Sequence, residues 1–194
     1  MRKKGTTQTP EILKEAFWTL YSQKELNKIK IGEITDLAGF NRGAFYNYYK
    51  NVYDIFNRIE TDVMDEISNI AWHIQDFIMD DDLSDKKLRP ILELYQKNEK
   101  YLKVLFTKED NPRFMYRLKK LIRSRMLESI KNTKNSVDPK YIDYYVEYYV
   151  SGQINIIIYW FTKGSHIPVE EFSTIVKEIA TKGAVSTLKK ILYK

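Results

Sequence analysis

Residues 31–56, IGEITDLAGFNRGAFYNYYKNVYDIF, constrain the fold more than any other stretch. Ile34, Leu37 and Ala38 recur as the buried side of a short helix, and Gly39 follows where a left-handed stop is needed. Asn41 is placed to cap a second short helix carrying Phe45, Tyr48 and Tyr49. Asn51 caps a third. Its apolar positions Ile55, Phe56, Ile59, Val63, Ile67, Ile70 and Ile74 continue at steps of three and four to about Met79. So long a helix is expected to connect the N-terminal domain to a second one.

The flanking sequence reads the same way. Thr9 can cap, Pro10 suits the first helical position, and Leu13, Ala16, Phe17 and Leu20 stripe a first helix to about Gln23. Past a break at residues 80–85, Leu88, Ile91, Leu92 and Tyr95 predict one helix and residues 101–106 a separate short one. Phe114, Leu118, Leu121, Ile122 and Ile130 stripe the next. Asp138-Pro139 opens a helix running to about Thr162, and Phe172 to Leu192 carry the last. No alternating strand pattern competes, and 7 Gly and 5 Pro are too few for a turn-rich β fold. The expectation is an all-α chain of about nine helices. A three-helix N-terminal domain, 1–50, is joined by the long helix to a helical C-terminal domain, 51–194.

Composition excludes several chemistries. There is no cysteine, so disulfides, thiolate-held zinc and thiol catalysis fall away. His73 and His166 are too few for a histidine metal site, and no metal or cofactor is expected. MRKKGTTQTPE holds no apolar run, so no signal peptide is expected, and residues 154–161 are too short to span a bilayer. A cytoplasmic protein is expected. The net charge of +6 is unevenly spread. Residues 1–50 carry nine basic and five acidic groups, 51–85 one and ten, 86–137 fifteen and five, and 138–194 seven and six. A polyanion could therefore meet either 1–50 or 86–137.

Residue types in the second short helix suit a major-groove reader. Phe45 and Tyr49 can face a core, while Arg42, Gly43 and Ala44 occupy the first turn. Arg42 is a guanine reader through O6 and N7, Tyr46 and Asn47 can donate to phosphate or base, and Lys50 is placed to meet a phosphate. A compact helical corner with a polar exterior accounts for the same residues, and residue logic alone leaves both open.

A longer ordered set of residues goes further. The first helix ending near Tyr21, Glu33-Ile34, Ala38-Gly39, Arg42-Gly43-Ala44-Phe45-Tyr46, Tyr49-Lys50-Asn51 and Ile55-Phe56 resemble the DNA-binding domain of TetR/AcrR transcriptional regulators. Thr35 stands where that family usually has Ala, and Tyr48 where His is frequent. The resemblance implies a homodimer on a palindromic operator in double-stranded DNA, with Thr9, Arg42, Gly43, Ala44, Tyr46, Asn47, Tyr48 and Lys50 at the interface. It also implies a C-terminal domain that often binds a small-molecule effector, and usually a repressor.

The C-terminal half yields candidate sites of lower specificity. The helix from Asp138 is apolar almost all round, which calls for cover on every side. A partner subunit packing on it and on the last helix supplies that cover, through Ile154, Ile157, Ile158 and Phe161, then Ile175, Ile179 and Leu188. Ser151-Gly152 would permit close approach; a central core helix in a monomer is the alternative. Candidate ligand contacts are Trp72, His73, Phe77 and Tyr101, then Met115, Tyr145, Tyr149 and Trp160, each readable equally as plain core. Tyrosine-rich walls would favour flat aromatic or amphipathic cationic ligands. The basic run from Arg113 to Arg125 is either a solvated face or a site for an anionic effector or a protein partner, the latter suiting an activator. Asp81-Asp82-Leu83-Ser84-Asp85 matches the DDxxD pattern of magnesium-dependent all-α enzymes acting on diphosphates, but the second acidic motif those enzymes need is missing. No enzyme is expected.

Overall fold

Short side chains set the helix ends in the N-terminal part of the chain. The computed structural model describes residues 8–79, 85–108, 111–131 and 138–186, with side chains except at 74–79, 85–87, 129 and 139. Helix α1 (Thr9–Gln23) has Gln8 at its cap position and Pro10 in its first turn, so Thr9 is its first helical residue and not the expected cap. A 3₁₀ turn at Leu26–Lys28 leads into α2 (Ile31–Ala38). Glu33 accepts from the Lys30 N–H at 2.9 Å, satisfying one donor at the α2 start. Gly39, at φ 70°, closes α2 in the left-handed region, and the Phe40 N–H reaches back to the Thr35 carbonyl at 2.9 Å. Helix α3 (Arg42–Tyr46) is only five residues long. Helix α4 (Val52–Met79) starts with two side-chain caps: Asp54 N–H donates to Asn51 Oδ1 and Lys50 N–H to Asp54, both at 2.9 Å.

The chain divides into two compact units between Met64 and Asp65, within α4. In the first, Leu13, Phe17, Tyr21, Ile34, Phe45 and Ile55 are fully buried. Phe17 stacks on Tyr21 at 5.8 Å, and Tyr21 meets Phe56 at 5.1 Å. Leu37 does not share the buried side of α2, as it is 54% exposed; Thr35 takes that place. The Thr35 hydroxyl donates within α2, toward the carbonyls of Ile31 at 3.1 Å and Gly32 at 3.0 Å, so its burial leaves no donor unpaired. That is how a threonine fits where alanine is usual.

The second unit holds the rest of α4 with α5 (Asp85–Thr107), α6 (Pro112–Lys131), α7 (Pro139–Thr162) and α8 (Val169–Lys182). Helix α5 packs on α7 and α8, α6 on α7, and α7 on α8. The two helices expected over 88–95 and 101–106 are one, α5. Its polar middle, Gln96 to Lys100, looks like a loop in sequence, but Asn98 is buried and donates to Glu66 on α4 at 2.8 Å, with Lys97 pairing to the same carboxylate at 2.9 Å. Every regular element among the described residues is helical; the chain is all-α. The Asp81–Asp85 motif and Leu188 lie outside the described residues and side chains, as does the side chain of Phe77.

Candidate functional site

The first candidate surface is built on α3. Asn41 Oδ1 accepts the Ala44 N–H at 2.9 Å, fixing the first turn of a helix too short to hold itself. Gly43 is part of that cap, since a Cβ there would stand 3.2 Å from Asn41 Oδ1. Phe45 and Tyr49 bury the inner face. The Tyr49 hydroxyl donates to the Pro10 carbonyl at 3.2 Å, holding the α1 start, with half-buried Thr9, beside the turn that follows α3. Arg58 covers the Tyr49 ring at 5.2 Å, and burial raises the Tyr49 phenol pKa.

What α3 leaves outward is Arg42, Gly43, Tyr46, Asn47 and Lys50, all exposed, with Ala44 and Tyr48 half-buried beside them. This face is polar, carries two cations and offers small residues at its tip. The Arg42 guanidinium lies over the first turn of α2, where a Cβ on Gly32 would come within 3.1 Å of it. Gly32 was missed in sequence; a glycine in a helical first turn with no turn to make is the signal that could have found it. Lys24, at the C-terminal cap of α1, binds Glu33, and that bond with the Lys30 amide holds the Glu33 carboxyl below its usual range.

The second candidate site is a cavity of about 220 Å³ in the second unit, bounded by α4 to α8. Its wall is largely aliphatic and aromatic: Ile67, Leu94, Leu118 and Ile122 stand with Trp160 and Phe172. Trp160 stacks on Phe172 at 4.6 Å and donates its indole N–H to the Ile167 carbonyl at 3.0 Å. Of the anticipated ligand contacts, Tyr149 and Trp160 line the cavity. Trp72, His73, Tyr101, Met115 and Tyr145 are not among its described lining residues, and Trp72 and Tyr145 are exposed. Gln153 and Arg125 in the wall were missed; a lone glutamine within an apolar helix face is the signal for the first.

Helix α7 divides into two faces. Val146, Val150, Ile154, Trp160 and Phe161 are buried within the protomer, and Ile157 lines the cavity. Ile158, Ile175 and Ile179 are half-buried. The outward face is aromatic instead: Tyr141, Tyr144, Tyr145, Tyr148 and Tyr159 are each more than half exposed. Gly152 lies between them, with open space where a Cβ would sit. Much of the basic run on α6 is matched by α7: Lys119 pairs with Glu147, and Arg123 with Asp143 at 3.0 Å. The Lys119 contact, then Ser151, lowers the Glu147 pKa.

Among the described residues no group of three His, Cys, Asp or Glu is placed to hold a metal ion, and no helix is long and apolar enough to cross a membrane. The family model described as a transcriptional regulator C-terminal region matches residues 83–182. No curated protein sequence matches the chain. Among solved structures, the chain is similar to a TetR-family transcriptional regulator from Syntrophomonas wolfei, at 19% identity over 92% of this chain and 95% of that one, with a TM-score of 0.65. It is similar to the fatty acid degradation regulator FadR of Bacillus halodurans at 12% identity, 94% and 98% coverage and TM-score 0.58. The dihydroxyacetone kinase operon activator DhaS stands at 17%, 93%, 97% and 0.56. At such identities the likeness is one of fold.

Proposed function

This chain belongs to the TetR/AcrR family of transcriptional regulators, and from that premise we propose that it is a homodimeric repressor released from a palindromic operator by a small molecule. Residues 1–50 read DNA in this account, and residues 51–194 dimerise and bind the effector. The observation that carries it is the capped α3, which buries Phe45 and Tyr49 while turning Arg42, Tyr46, Asn47 and Lys50 outward. A helix so disposed can enter a major groove by its first turn. The site of action is the cytoplasm, and the role is regulatory, not enzymatic.

Release follows from helix α4, which supplies Ile55, Ile59 and Val63 to one core and Ile67 and Ala71 to the cavity wall. An occupant that shifts the cavity end of α4 moves the reader with it. Two recognition helices must sit about 34 Å apart to occupy successive major grooves, so a shift of a few ångströms forfeits one half-site.

The test is binding of the purified dimer to an operator selected from random DNA. Arg42→Ala is expected to weaken the selected site by about 1–3 kcal/mol while hardly changing binding to random sequence. Equal loss on both would reduce Arg42 to a phosphate contact. Activation is the second reading, as in the operon activator of the same fold; a reporter that falls on deletion of this chain would favour it over repression.

A further inference from the structure

We propose that the cavity of the second unit takes an uncharged, mainly apolar molecule of about nine non-hydrogen atoms, anchored by a single hydrogen-bonding group between Tyr149 and Gln153. This rests on the reading of that cavity as the effector site.

Size comes first. An apolar cavity of about 150 Å³ takes benzene, with its six non-hydrogen atoms. By proportion, the 220 Å³ here takes about nine.

Charge comes next. No described lining residue is acidic, and the carboxylates next to the wall, Glu99 and Glu128, already pair with Tyr95 and Arg125, so an ammonium group would lose its hydration with no carboxylate of the wall to replace it. The single charged residue of the described wall, Arg125, is exposed and paired with Glu128 at 3.3 Å. A carboxylate would have to share that solvent-exposed guanidinium with Glu128, and an ion pair at the surface gains little. The wall therefore favours a neutral occupant, unlike the cationic ligands that tyrosine content alone suggests.

The polar groups of the wall then choose the anchor. The Tyr95 hydroxyl donates to Glu99 at 2.8 Å, Ser173 Oγ to the Val169 carbonyl at 2.7 Å, and Trp160 to Ile167. The Tyr149 hydroxyl and the Gln153 amide have no such bond among the described residues. They are one turn apart on α7, on the same face of the helix. Gln153 is only 9% exposed, and burial pushes the Tyr149 phenol up to about 12, so it remains a donor at neutral pH. Amide and phenol each both donate and accept, which suits one hydroxyl or carbonyl on the occupant. Aromatic stacking is less available, because Trp160 is already stacked on Phe172 and Phe106 on Phe161.

The experiment is calorimetric titration of the full chain with octan-1-ol, octylammonium, octanoate and ethylbenzene, with operator affinity measured alongside. Octan-1-ol should bind roughly tenfold more tightly than either ion. Gln153→Leu and Tyr149→Phe should each weaken octan-1-ol about five- to twentyfold and leave ethylbenzene nearly unchanged, which also shows that the cavity has kept its shape. An ion that binds as well as the alcohol, or variants that bind octan-1-ol like the parent, would overturn the inference while leaving an effector site in place. Octan-1-ol that binds with the expected selectivity but does not alter operator affinity would support the ligand class and overturn the effector role.

Discussion

Asn41 does more for the candidate DNA surface than its size suggests. With five residues, α3 lacks the length to sustain itself, and the Asn41 bond to the Ala44 amide replaces a missing backbone partner. Asn41→Ala is expected to cost about 1 kcal/mol in urea denaturation and Asn41→Ser only a few tenths; equal stability of parent and Ala variant would show that packing of Phe45 alone holds the helix. This cap was legible in sequence, as were Gly39 and Asn51, because capping is local chemistry. The Thr35 and Leu37 exchange was not. Hydropathy assigns leucine to the core, but a 100° step per residue sets positions 35 and 37 equally far, about 80°, to either side of the Ile34–Ala38 face, so packing and not the helix period puts Thr35 inside and Leu37 outside. A self-satisfied hydroxyl then makes that burial inexpensive.

Helices α5 and α7 show the same limit for whole elements. The join within α5 was hidden because the contact that buries it is polar, Asn98 and Lys97 to Glu66, and apolar periodicity does not register such contacts. For α7 the sequence revealed apolar residues all round but not which face stays uncovered. Within the protomer the answer is the tyrosines about Gly152, while Ile154 and Phe161 are already buried. If the homodimer proposed above forms through this face, Gly152 is where a partner helix comes closest. Gly152→Leu should then give monomers by sedimentation velocity with helicity retained or raised, since leucine favours helix over glycine by roughly 0.8 kcal/mol. A Gly152→Leu chain that still sediments as the parent dimer would remove α7 from the interface.

For the whole molecule, the displaced ionisations predict how stability depends on pH. Glu33 is held below its usual range by Lys24 and the Lys30 amide, and Glu147 by Lys119 and Ser151. Burial opposes the charge of Glu66, but Lys97 and Asn98 outweigh it and its pKa also falls. A carboxylate depressed in the fold stabilises above its unfolded pKa, about 4.3, and that contribution disappears as pH drops through the folded value. At the other end, burial and then Glu99 push Tyr95 up to about 12, and burial alone does so for Tyr149. Lys14 is raised as well, its desolvation outweighed by Asp62 and Glu11. Groups raised in the fold stabilise below their unfolded pKa, about 10 for tyrosine, and the gain is lost as pH climbs through the folded value. Denaturation midpoints should therefore be flat from about pH 5 to 9, fall below about 4.5, and fall again between about 10 and 12. Spectroscopic titration checks the alkaline side independently. Burial raises the Tyr149 phenol to about 12, so Tyr149→Phe should remove one phenol from the late fraction that ionises with unfolding. If that variant leaves the late fraction intact, the Tyr149 hydroxyl is not in the apolar wall where the cavity places it.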